Sequence, residues 1–278
     1  MRNNERRLAA ANPVAAGLNQ QQGDSLSFVV PTEFVELPSR GQFYSEGHPL
    51  CGQDTIEIKF MTAKEEDILS STTLLKKGLA ISRLLQNLMV DKTIDVDTLL
   101  SGDRNAIMIA ARMSSYGAAY ETNVLCTNCN ASNNYVFDLK NATTNEECFD
   151  DEMLQQKEIV FDSETKTFDL VLPQTEASIK LKLLSAADEL KEEDLEKTKD
   201  NLITTTLLTF VSSVDGHTDK LTLKKFIESM PASDSRHIRK VYSKLVPKIG
   251  LTENFVCSAC GNKKELEVPL KADFFWPR

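Results

Sequence analysis

The sequence predicts an α+β chain, and three observations carry that prediction. Asp54 to Phe60 alternates polar and apolar residues, the period of a half-buried strand. Between Thr62 and Gly117, apolar residues recur at helical spacing among capping and stop signals. Two Cys-x-x-Cys knuckles, Cys126-Thr127-Asn128-Cys129 and Cys257-Ser258-Ala259-Cys260, stand in matching strand-like flanks. The expected layout is an extended N-terminal arm at 1–32 and a strand-and-helix unit at 33–125. Two knuckle segments follow at 126–140 and 251–270, with a mixed strand and helix insertion at 141–250 between them.

The arm holds Asn12-Pro13, Gly17 and the polar run Asn19-Gln20-Gln21-Gln22, with little periodicity. By itself it buries too little apolar surface to offset chain entropy, so it stays unstructured or orders on a partner. Phe34-Val35-Glu36-Leu37-Pro38 is extended, and Ser39-Arg40-Gly41 marks a turn before Phe43-Tyr44. Thr62-Ala63-Lys64-Glu65 is a capping box, and its helix is expected to run through Ile68, Leu69 and Leu75 to a stop at Gly78. Leu79 to Met89 is a second helix, with Ile81, Leu84, Leu85 and Leu88 inward. Val96, Leu99 and Leu100 form a short one. Ser101-Gly102-Asp103 is expected to cap a longer helix that turns Ile107, Met108, Ala111 and Met113 inward and ends at Gly117. Tyr120 to Leu125 returns to extended backbone.

Inside the insertion, Glu158 to Phe161, Thr167 to Leu172 and Ser178 to Leu183 read as three strands, and Pro173 ends the second. Ser185-Ala186-Ala187-Asp188 opens a helix into the acidic run Glu189 to Glu196, a solvated face rather than a carboxylate site. Leu202 to Val211 is expected to be helical. Asp215-Gly216 is a turn. Thr222 to Met230 and Ser233 to Val246 are two more helices, divided by Pro231.

The knuckles share more than spacing. Val124-Leu125 leads into the first and Phe255-Val256 into the second. Asn130 and Gly261, residues that tolerate left-handed backbone, follow each second cysteine. Tyr135, Phe137 and Leu139 then alternate after the first, as do Leu266, Val268 and Leu270 after the second. Each copy is strand, knuckle, strand. Two residues between thiols let one tight turn place both sulfurs about 2.3 Å from a single zinc ion. Zinc takes four ligands, so Cys126, Cys129, Cys257 and Cys260 together make a zinc ribbon, with a closed shell and a structural role. An iron–sulfur cluster also takes four cysteines and is the less favoured cofactor. A redox dithiol needs one knuckle at a helix N-terminus, and neither knuckle precedes a helical pattern.

Composition and the missing motifs narrow the function. The chain is 41% hydrophobic and 26% charged, which fits a folded globular chain. A net charge of −9 argues against broad binding to nucleic-acid phosphates. No apolar run approaches the roughly 20 residues that span a bilayer, and the N-terminus is too weak for a secretory signal. Without that signal the cysteines point to metal rather than disulfides. Cys51 and Cys148 lack ligand-spaced neighbours and read as ordinary thiols; His48, His217 and His237 are scattered and read as surface residues. No phosphate loop, dinucleotide fingerprint or nucleophile elbow is present, so neither a catalytic residue nor a small-molecule substrate is expected.

The ordered segments Glu36-Leu37-Pro38-Ser39-Arg40-Gly41-Gln42-Phe43-Tyr44, Phe60 to Leu69, Gly102-Asp103-Arg104 and Ser115-Tyr116-Gly117, followed by Cys126-x-x-Cys129, carry a resemblance. Over about residues 34–140 the chain resembles the baseplate hub protein family of T-even-type contractile-tailed bacteriophages. The resemblance implies a non-enzymatic assembly subunit whose partners are other phage baseplate and tail hub proteins. It implies a location in the virion tail baseplate, reached by assembly in the host cytoplasm. It makes the Leu37 to Gly41 turn and the Met61 to Leu69 helix start signature positions, without assigning them a ligand. The alternative is a zinc-ribbon regulator that binds nucleic acid or a polymerase, with Lys263-Lys264 and Arg236 to Lys244 as its only basic candidates.

Overall fold

A computed structural model of the chain describes residues 29–145, 147–156, 158–189, 202–268, 270 and 272–275. The chain divides into two units, Met1–Pro31 and Thr32–Arg278. Residues 1–28 of the expected arm and most of the acidic run Glu189 to Glu196 lie outside the described residues.

Strand β1 (Thr32–Glu36) pairs antiparallel with β2 (Thr55–Lys59), Thr32 opposite Lys59. The alternation in β2 buries Ile56 and Ile58, as its sequence requires. The expected capping box forms: the Thr62 N–H donates to Glu65 at 2.9 Å, and the Asn87 amide holds the other Glu65 oxygen. Its helix is two pieces rather than one, α1 (Ala63–Ser70) and α2 (Thr72–Lys76), with Ser71 extended between them. The break falls in Ser70-Ser71-Thr72-Thr73, a run of hydroxyl residues that compete with helix bonding. The Ser70 hydroxyl does so by donating to the carbonyls of Glu66 and Asp67. Helix α3 (Ala80–Leu88) buries Ile81, Leu84, Leu85 and Leu88. Helix α4 (Ser101–Tyr116) ends at Gly117, whose φ of 83° suits glycine.

The start of α4 corrects the sequence reading. Leu100, not the Ser101 to Asp103 stretch, occupies the cap position. Asp103 is turned inward and fully buried. It accepts the Ser39 N–H at 2.9 Å, the Ser39 hydroxyl, and the Tyr44 hydroxyl at 2.7 Å. The Tyr44 oxygen in turn accepts the Leu100 N–H at 3.0 Å. Burial pushes the Tyr44 hydroxyl above its usual range, and pushes the Asp103 carboxyl upward against the bonds that favour its anion. The signature turn and the Gly102-Asp103 motif are thus two halves of one buried network.

Hairpin β3 (Ala119–Leu125) and β4 (Ser132–Asp138) follows α4. A short ladder then joins β5 (Thr143–Thr144) to β10 (Ile249–Gly250), near the two ends of the expected 141–250 segment. Within it, α5 (Asp151–Gln156) precedes a four-stranded antiparallel sheet of β6 (Val160–Asp162), β7 (Thr167–Val171), β8 (Ser178–Lys182) and β9 (Val211–Val214), in that order. Neither α5 nor β9 was expected from sequence. Val211, expected at a helix end, opens β9 because α6 (Leu202–Phe210) stops at Phe210 and β8 offers a free edge for Val214 opposite Ile179. Helices α7 (Lys220–Ser229) and α8 (Ala232–Leu245) meet at Pro231. Buried Asp234, in the first turn of α8, accepts the N–H groups of Gln174 and Thr175 at 3.0 Å, tying the β7–β8 turn to that helix. Hairpin β11 (Thr252–Val256) and β12 (Lys263–Glu267) completes the set.

One hydrophobic core runs through both halves of the sequence, from Ile58, Leu84 and Ile107 to Phe168, Ile179, Ile238 and Leu245. Phe43 of the signature loop sits 5.2–5.6 Å from the rings of Phe149, Phe161 and Phe168. Gly102 meets the Pro247 carbonyl so closely that a Cβ there would lie 1.9 Å from its oxygen. The C-terminal turn buries Phe274 and Phe275, and the Arg112 guanidinium donates to the Phe274 carbonyl at 3.1 Å.

Candidate metal centre

A small second cluster lies apart from that core: Cys126, Phe255 and Cys257, with Tyr135 and Leu266 touching both. The two hairpins build it with the same turn. In the first, the Cys126 N–H donates to the Ala131 carbonyl at 3.0 Å and the Asn130 N–H to the Cys126 carbonyl at 2.9 Å. In the second, the Cys257 N–H donates to Asn262 and the Gly261 N–H to Cys257, both at 2.9 Å. Asn130 and Gly261 take the left-handed backbone, at φ 56° and 69°. The repeat read in the sequence is therefore a repeat of backbone geometry.

The turns bring together all four cysteines singled out by sequence. Their sulfurs lie within 4.8 Å of one another and could hold a metal ion. Two pairs cross between knuckles at close range: Cys126 to Cys260 and Cys129 to Cys257, each 3.7 Å. That is far beyond a disulfide, about 2.05 Å. Four sulfurs bound tetrahedrally at about 2.3 Å stand about 3.8 Å apart, so the spacing fits a single ion. Cys126 and Cys257 are buried; Cys129 and Cys260 face solvent.

Backbone N–H groups point into the cluster. Those of Cys260 and Ala259 lower the Cys257 thiol to about 6, and those of Cys129 and Asn128 lower Cys126. For Cys129, the Ala131 N–H favours the thiolate. The Cys260 sulfur, burial and the remaining sulfurs outweigh it and push Cys129 up to about 12. Some thiols ionise readily, while their neighbours resist because negative charge is already near. A cation in their midst removes that resistance.

Sequence reasoning missed the residues that hold the hairpins together. Glu253 of β11 accepts the Tyr135 hydroxyl at 2.9 Å and the Asp138 N–H at 3.1 Å. The Asn128 amide donates to the Cys260 sulfur at 3.7 Å, and Asn133 reaches across to the second knuckle. Only the polar residue at 128, where the second knuckle has Ala259, hinted at this. Cys51 and Cys148 lie outside the cluster. His48 stacks on Tyr44 at 4.3 Å, its Nδ1 accepting the Leu50 N–H at 3.1 Å, while His217 is exposed and His237 half-buried. Of the basic candidates, Lys263 and Lys264 are exposed, and Lys244 pairs with Glu147 at 2.8 Å. Among the described residues, no helix is long and apolar enough to cross a membrane.

No curated protein and no solved structure matches the chain. A family model does, described as T4 bacteriophage base plate protein, over residues 30–276. The matched span takes in the signature turn, the buried Asp103 network, the whole 141–250 segment and both knuckles. On that span, the chain belongs to the T4 bacteriophage base plate protein family.

Proposed function

We propose that this chain is a structural subunit of the baseplate hub of a contractile-tailed phage, working by protein–protein contact around one structural zinc site. The carrying observation is the convergence of Cys126, Cys129, Cys257 and Cys260 from two hairpins, with sulfur pairs 3.7 Å apart. Four thiolates around one point suit zinc, which prefers a tetrahedral shell and has no redox chemistry. A cluster with several irons would place thiolates on separate metal atoms and spread them further. Zinc bound there supplies two positive charges against the crowded thiolates and cross-links β3–β4 to β11–β12. Four protein ligands leave no open position for water or substrate, which supports a role without catalysis. Family membership supports partners in the phage tail and baseplate and a place in the virion tail; the proposal adds that those partners are hub proteins and that assembly takes place in the host cytoplasm.

Metal analysis of protein purified without added metal tests the site. We expect about one zinc per chain, lost in the Cys126→Ser, Cys257→Ser double variant, as a closed structural site requires. No zinc, or iron with visible absorbance, defeats the zinc reading. Co-sedimentation with hub components at native salt tests the assembly role, and a chain that sediments with none of them would rule it out.

A further inference from the structure

We propose that Asn133 positions the second knuckle's thiol for metal and so sets how tightly the four cysteines hold an ion. This rests on the metal reading above. Asn133 lies on β4 opposite Val124, in the first hairpin, and is only 7% exposed. Its amide nitrogen donates to the Ala131 carbonyl at 2.9 Å, within its own turn, and to the Cys257 sulfur at 3.6 Å, across to the other hairpin. Its oxygen accepts the Ser258 N–H at 2.9 Å and the Ser258 hydroxyl at 2.7 Å. A backbone N–H can only donate, so the Ser258 contact fixes which end of the amide is oxygen and aims the nitrogen at sulfur. Every hydrogen-bonding position of this buried side chain is used.

The device is built once, not twice. The place that matches Asn133 in the second hairpin is Lys264, which is exposed. The place that matches Asn128 is Ala259. Both side-chain amides therefore come from the first hairpin, and both serve sulfurs of the second, Cys260 and Cys257. Hydrogen bonds that orient ligands and offset their charge strengthen metal binding. Asn133 does both for Cys257: it holds the adjacent Ser258 backbone in place and places an N–H on the sulfur.

Zinc affinity, read by competition with a chromophoric chelator, tests the assignment in the full-length protein. Asn133→Asp keeps oxygen acceptors for Ser258 but replaces the N–H beside sulfur with negative charge. We expect it to weaken zinc binding about 10- to 100-fold and to shift the cobalt–thiolate absorption of the cobalt-loaded protein. Asn133→Ala, which adds no charge, covers the case in which the Asp variant fails to fold, and should weaken binding by about tenfold or more. Ser258→Ala leaves the amide–sulfur contact and should bind within about threefold of the natural chain. A folded Asn133 variant that binds zinc as tightly as the natural protein overturns the assignment. Failure of the natural protein itself to take up zinc or cobalt defeats the metal reading beneath it.

Discussion

Asp103 and the four cysteines do the same topological work by opposite means. Each joins segments far apart in sequence: Asp103 links α4 to the Ser39–Tyr44 loop, and the cysteines link two hairpins. Asp103 is a single buried acid whose partners are all supplied by the chain. The cysteine cluster gathers groups that hinder each other's ionisation, and on the proposed reading a metal ion completes it. The first device is therefore fixed once the chain folds. The second, on the proposed metal reading, is conditional on metal supply and answers to chelators and to oxidation of its exposed members, Cys129 and Cys260.

The sharpest way to break this contrast is Asp103→Ala. It strands the Ser39 N–H, the Ser39 hydroxyl and the Tyr44 hydroxyl without their acceptor, and should cost about 3 kcal/mol or more in chemical denaturation. A cost below about 1 kcal/mol would show the network to be dispensable. The loss should add to that caused by a chelator, because the two sites share no residue; strong non-additivity would mean that they are one unit. Gly102→Ala comes next. Its new methyl must displace the Pro247 backbone, for a cost of about 2 kcal/mol, visible as a lower thermal midpoint without loss of bound metal. Glu253→Ala acts only on the hairpin side. It should cost about 1 kcal/mol and raise hydrogen exchange in β3, β4, β11 and β12, while α3 and α4 stay protected.

The smallest expected effect is one of pH. Burial lowers His48 from its ordinary 6.5, and its neutral Nδ1 accepts the Leu50 N–H. The unfolded chain therefore takes up the proton first as pH falls. The stability this contributes is present above pH 6.5 and fades as pH drops through 6.5 toward the lower folded value. With chelator present throughout, to silence the cysteines, His48→Gln should flatten the decline between pH 7.5 and 5.5. An unchanged slope would assign the decline to other groups.

What could be read from sequence was what is local. The inward face of α3 follows from the spacing of Ile81, Leu84, Leu85 and Leu88, and the knuckles announce themselves because each is complete within a few residues. Strand β9 was hidden because Val211–Val214 is a strand only by virtue of the β8 edge beside it. Asp103 looked like a cap because acidic residues favour a helix's first turn; that its carboxylate turns inward depends on a loop more than fifty residues earlier. Asn133 was hidden for the same reason: its partner Ser258 is contributed by the other hairpin, far along the chain.

The split between the knuckles also sets an order of events during synthesis. Cys126 and Cys129 leave the ribosome well before Cys257 and Cys260 exist, an interval on the order of ten seconds at bacterial elongation rates. Through that time the first hairpin holds only two of the four cysteines. In the folded protein the β5–β10 ladder holds Ile249 opposite Thr144, on the chain that leads into the second hairpin. The four cysteines can therefore meet only in chains that have been translated past Cys260.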